Sequence, residues 1–156
     1  LNTVPPIVGT ETYVSYATAN ALAADRLNSR EWCAAVADFE AGLDPEATGD
    51  PGVPALCRQA LTTAAATLSR MPWASDLALP LAADSIPPAL ATACAELAFF
   101  LLTAESRRRR NVQMSMVGQS METYFPQVAD ELPKHVRRLV EPFLRVRSTH
   151  CAELIP

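Results

Sequence analysis

Aromatic residues make up only 6% of this 156-residue chain, although 49% of it is hydrophobic. Alanine supplies much of that fraction, and it favours helix because it loses no side-chain entropy there. The expected core is therefore helical and closely packed rather than aromatic-rich. Glycine is equally scarce, with five residues. None belongs to a GxxxxGK[ST] or GxGxxG loop, so nucleotide phosphates have no backbone cradle and no cofactor is expected. Lysine is reduced to Lys134, and the formal net charge is −4. That balance argues against a protein that coats duplex DNA, because holding phosphates requires a basic surface that displaces counterions.

The four cysteines, Cys33, Cys57, Cys94 and Cys151, are widely separated and form no CxxC pair. Neither a zinc knuckle nor a redox motif is indicated, and reduced thiols in a cytoplasmic setting are expected. Only His135 and His150 are available as a general base, and neither stands in a catalytic motif, so no enzyme is expected. His150 beside Cys151 does not reach the four ligands of a structural metal site, even with His135 added, so no metal is expected. No signal peptide opens the chain, and the most apolar stretch, residues 90–102, is interrupted by Glu96. It is also shorter than the roughly 20 residues a membrane span needs, so a soluble protein without membrane contact is expected.

What remains is helical periodicity. At this length one domain is expected, since domains commonly hold roughly 100 to 200 residues. Residues 1–14, with Pro5, Pro6 and Gly9, read as an extended N-terminal arm. A single helical domain follows over residues 15–145. Ser15 can cap a helix to about Leu27 whose apolar face holds Ala19, Leu22, Ala23 and Leu27. Ser29 can cap a second, carrying Trp32, Val36 and Phe39 and ending at Gly42. Residues 43–53 hold Pro45, Gly49, Pro51 and Gly52 and read as a surface loop.

Pro54 suits the first turn of a third helix with Leu56, Ala60, Ala64, Leu68 and Met71 at helical spacing, stopped by Pro72. Pro88 opens a fourth, to about Ser106, apolar on nearly every side around Leu90, Cys94, Leu97, Phe100 and Leu101, hence the central helix. The period then changes to two through Val112, Met114 and Met116, and Gly118 with Gln119 offers a turn, so a short β-hairpin is expected over residues 112–124. Pro133 can open a last helix through Val136, Leu139 and Val140, disturbed by Pro142, before a C-terminal tail over residues 146–156. The expected fold class is mainly α: a compact bundle of four to five helices with a short β-hairpin and extended arms.

Several segments, taken in order, resemble the head-to-tail connector, or adaptor, proteins of tailed bacteriophages, including relatives described as DnaT-like single-stranded-DNA-binding proteins. Thr12-Tyr13-Val14-Ser15 before an Ala-rich helix resembles that family's Ser-Tyr-Val-Ser opening, and Met71-Pro72-Trp73 its Trp-Pro corner after the third helix. Ser85-Ile86-Pro87-Pro88-Ala89-Leu90 through Ala95-Glu96-Leu97-Ala98 looks like its Ile-Pro helix start, and Val117-Gly118 to Tyr124 like its Val-Gly hairpin. The similarity covers residues 12–145. It implies a structural virion protein in the capsid–tail neck, assembled in the host cytoplasm. Such proteins form a homo-oligomeric ring of roughly twelve copies between the portal protein and a tail terminator or other neck protein. DNA passes through the lumen without sequence recognition.

The candidate contact residues follow from this. Met114 and Met116 lie on an apolar alternating face, and Met side chains adapt to partner surfaces. Arg145 just before the tail and Arg147 within it suit carboxylates, and Leu154 and Ile155 are apolar where a solvated tail is normally polar, so docking on the portal is expected. The run Arg107, Arg108, Arg109 and Arg110 can face DNA, a neighbouring subunit or solvent. A single-stranded-DNA-binding accessory factor is the alternative from another class, but it needs aromatics interleaved with the cations, and none follows Arg110 before Tyr124. A generic helical protein-interaction domain is the third reading.

Overall fold

The computed structural model describes residues 5–43, 52–74, 81–115 and 132–144, with backbone alone for residues 105–115. Among them are five α-helices: α1 (Tyr16–Ala24), α2 (Arg30–Glu40), α3 (Ala55–Ser69), α4 (Pro88–Ser115) and α5 (Lys134–Val140). The protein is mainly α-helical, as its composition dictates. No β-strand occurs among the described residues, only two isolated bridges, Val8 with Thr12 and Trp73 with Leu144.

Helix α4 is the hub, packed by each of the other four helices. Its inner surface is made of Leu90, Ala93, Cys94, Leu97, Ala98 and Phe99, and the small residues among them let α3 approach through Cys57, Ala60, Leu61, Ala64 and Leu68. The few aromatics are concentrated in one place. Trp32 is fully buried, stacks on Tyr16 at 5.9 Å between ring centroids and meets Phe99 edge-on at 5.2 Å, an arrangement worth about 1 kcal/mol per pair beyond burial. Its indole N–H donates to Asn20 Oδ1 at 3.2 Å, so no polar atom of the ring is stranded.

Ser15 caps α1 as expected, accepting the Thr18 N–H at 3.1 Å. The end of α1 differs from expectation. It stops at Ala24, and Leu27 lies on a 3-10 turn, Leu27–Ser29, fully exposed rather than on the core face. The cause is Ser29, whose hydroxyl donates to the Ala23 and Arg26 carbonyls and so closes the end of α1 instead of capping α2. Gly42, at φ 69°, ends α2 in the left-handed conformation that glycine adopts without a Cβ penalty. On α4, Phe100, which the periodicity places on the apolar surface, is 41% exposed, while the neighbouring Phe99 is buried. On α3, Leu56 sits outside the stripe formed by Cys57, Leu61 and Leu68.

The predicted β-hairpin requires correction. Residues 112–115, including Val112 and Met114, continue α4, which runs to Ser115 rather than Ser106. Adding a residue to an existing helix closes a hydrogen bond at little entropic cost, whereas a two-stranded hairpin must be nucleated anew. Arg, Gln and Met, which fill much of this extension, are also good helix formers. The remaining hairpin positions, residues 116–124, lie outside the described residues.

Residues 5–14 are fastened to the domain. Tyr13 and Val14 are in the core, and the Tyr13 hydroxyl lies 2.6 Å from Ser69 Oγ. The segment folds into a tight loop through Gly9 N to Thr12 O at 2.7 Å and Glu11 N to Ile7 O at 2.8 Å. Arg58 of α3 grips both Glu11 oxygens at 3.1 Å, while the Ile7 N–H donates to Oε2 at 2.9 Å. That backbone N–H first, and the guanidinium second, hold the Glu11 carboxyl below its usual range. Gly9 has φ 90°, and a Cβ there would stand 2.7 Å from the Leu81 carbonyl oxygen. Only glycine allows the arm to lie this close to residues 81–83.

Candidate interaction surface

Three features outside the apolar core concentrate charge: a buried ionic node on α4, the outer face of α5, and the C-terminal part of α4. The node forms around Glu96, the charge that interrupts the most apolar stretch of the sequence. Its side chain is 8% exposed. Arg26 Nε pairs with Oε1 at 3.0 Å, Asn28 Nδ2 donates to Oε2 at 2.9 Å, and His135 Nε2 approaches Oε2 at 3.7 Å. A buried carboxylate without such partners costs several kcal/mol, so the turn after α1 and the start of α5 are both drawn to the same point on α4. The node is a clamp. Sequence reading registers Glu96 as an interruption and as part of the Ala95-Glu96-Leu97-Ala98 motif, not as the centre of an ionic node, and Arg26, Asn28 and His135 carry no local pattern that links them to it.

Helix α5 is held from the other side by apolar contacts. Val136 and Val140 are fully buried, and the chain beyond α5 pairs back onto the corner after α3 through Ala74 N to Phe143 O at 2.9 Å. At that corner the Trp73 indole N–H donates to the Leu68 carbonyl at 2.9 Å. With its valines inward, α5 exposes Lys134, His135, Arg137 and Arg138. This basic face was not singled out by sequence reading, because the short segment shows which residues are charged but not which side the core takes.

Of the residues expected to make contacts, Arg107, Arg108, Arg109, Arg110 and Met114 all belong to α4. Successive helical positions are 100° apart, so four consecutive arginines span about 300° of the helix circumference. Their backbone positions are therefore distributed around the helix rather than along one of its faces. Arg107 also lies eleven positions beyond Glu96, or about 16 Å along the axis, which separates the arginine run from the node. Met116, Arg145, Arg147, Leu154 and Ile155 lie outside the described residues.

Among the described residues no group of three or more His, Cys, Asp or Glu is placed to hold a metal ion. No helix among them is long and apolar enough to cross a membrane. The Cys94 thiol is buried between α4 and α3, and that burial pushes its pKa up against the opposing bonds from Tyr13 and Thr12, which disfavours the nucleophilic thiolate. Comparison of the chain with family models, curated proteins and solved structures gives no match.

Proposed function

We propose that this protein is a head-to-tail connector subunit of a tailed bacteriophage, forming a ring that joins the portal to the next neck or tail component around the DNA channel. The observation that carries this reading is the ordered series of motifs that resembles the connector family, three of which fall at joints of the fold. Tyr13-Val14-Ser15 delivers the arm into the core and caps α1. Met71-Pro72-Trp73 forms the corner after α3, onto which the segment following α5 returns. Ile86-Pro87-Pro88 starts α4. A ring subunit needs heterologous contacts, in which one face of a copy meets a different face of the next. The charged outer face of α5 and the long α4 are surfaces of that kind.

The function is structural in this reading, with no catalytic step and no cofactor. The test is assembly. Purified chain is examined by sedimentation velocity and electron microscopy, alone and with the portal encoded beside it. Closed rings that bind portal are expected, and deletion of residues 146–156 is expected to abolish portal binding while leaving the helical signal intact. A chain that forms no ring and binds no portal refutes the proposal, and undiminished portal binding after the deletion refutes the role of the tail.

A further inference from the structure

Charge is distributed very unevenly along this chain. Residues 107–147 hold nine of the thirteen Lys and Arg residues but only four of the seventeen acidic ones. Residues 31–57 hold six acidic residues and no Lys or Arg. The fold presents part of each block on the surface: Lys134, Arg137 and Arg138 on α5, and Asp38 and Glu40 on α2. Among the described residues none of these five has an ion-pair partner. Helices α2 and α5 both pack on α4 but do not touch each other, so the subunit does not neutralise the two groups internally.

The helix macrodipole accounts for Arg137 and Arg138 in the last turn of α5, where cations complement the negative end. It does not account for Lys134, the first residue of α5, where a cation is unfavourable. An outside anion is the simpler reason for the whole set. Nucleic acid fits it poorly, since strand binding joins cations to exposed aromatic platforms and α5 contains no aromatic residue.

We propose that the basic face of α5 docks against the exposed acidic last turn of α2 in a second copy of this chain, making a head-to-tail contact through Lys134, Arg137 and Arg138 on one side and, on the other, Asp38 and Glu40, which flank that helix end about 200° apart. This rests on the ring reading and specifies which surfaces meet. The contact is heterologous, so a joined pair still carries one free α5 face and one free α2 end, and the assembly grows until it closes. Because its charges lie at the surface, the contact is steered by electrostatics and screened by salt.

The test is a charge swap, read by sedimentation velocity at about 0.05 M and about 0.5 M salt. Three variants are compared with the parent: K134E/R137E/R138E, D38K/E40K, and the chain with all five substitutions. Each partial variant is expected to self-associate at least about 10-fold more weakly than the parent at low salt, because like charges then oppose each other. A mixture of the two partial variants, and the fully swapped chain, are expected to recover association. All five positions are exposed, so an unchanged circular dichroism spectrum verifies the fold in each case. Assembly that is indifferent to the swaps overturns this contact while leaving the ring standing, whereas a parent that stays monomeric at low salt overturns both. A short oligo-dT whose binding is lost in K134E/R137E/R138E, with self-association unchanged, assigns the α5 face to nucleic acid and also overturns the proposal.

Discussion

Replacing Arg26 by Met and, separately, Glu96 by Leu removes the same ion pair from opposite ends, yet the expected losses of stability differ. The Arg26 side chain is 46% exposed, and that of Glu96 is 8% exposed. Arg26→Met leaves a carboxylate inside the protein with only the Asn28 amide at 2.9 Å and His135 at 3.7 Å. Breaking a buried pair so that a charge stays behind costs about 3–5 kcal/mol. The open position of Arg26 and the surviving Asn28 bond reduce that to about 2–3 kcal/mol. Glu96→Leu leaves behind a guanidinium that already reaches water, and it places an apolar side chain between Ala95 and Leu97, both buried. The lost charge-assisted bonds and the gained apolar burial nearly cancel, so a change within about 1 kcal/mol of zero is expected. In a chain of this length the Arg26 variant should melt about 5–10 °C lower and the Glu96 variant within about 3 °C of the parent. Urea and thermal unfolding followed by far-ultraviolet circular dichroism measure both, with the double variant closing the cycle. If Glu96→Leu proves as damaging as Arg26→Met, the asymmetry argument fails and the node is a net source of stability.

Three further outcomes follow from other parts of the fold. Gly9→Ala should cost about 2–4 kcal/mol, since it combines a left-handed backbone with a Cβ 2.7 Å from the Leu81 oxygen; urea unfolding checks it, and an unchanged midpoint would show that the arm is not seated on residues 81–83. Burial, then the negative charges of Cys57 and Glu40, raise the Tyr16 pKa to about 12, so its contribution to stability is intact below 10.0 and is lost as pH rises toward about 12; the phenolate absorbance that Tyr16→Phe removes should appear in that window. In a Cys151→Ser background, a thiol reagent should modify exposed Cys33 rapidly and Cys57 and Cys94 only on unfolding, and equal rates at all three would contradict the α3–α4 packing.

What could be read in the sequence was local. The Ser15 cap, the proline that opens α4 and the glycine that ends α2 act within a few residues of themselves, so composition and spacing suffice to place them. The apolar stripe of α3 was legible to within one position, because an alanine-rich helix offers several faces of similar hydrophobicity and only the partner helix decides among them. The alternation of Val112 and Met114 misleads for a related reason. A few residues of period two are compatible with either backbone state, and the long helix preceding them decides. The ionic node was not legible, since Glu96 meets Arg26, Asn28 and His135 only once three separate segments have packed. The seating of Gly9 against Leu81 is likewise a tertiary fact.

The placement of the two tryptophans has a consequence for watching this protein fold. Trp32 lies inside the cluster formed by α1, α2 and α4, whereas Trp73 stands at the corner where the chain beyond α5 returns to bridge through Leu144. Each indole joins near partners to one distant partner: Trp32 meets Tyr16 and Asn20 and, 67 positions away, Phe99, whereas Trp73 bonds to Leu68 and bridges to Leu144, 71 positions away. Loop-closure entropy makes contacts of long sequence separation slow to form. The two indoles are therefore natural reporters of two different long-range closures: Trp32 emission reports the docking of α1 and α2 on α4, and Trp73 emission reports the return of the segment beyond α5.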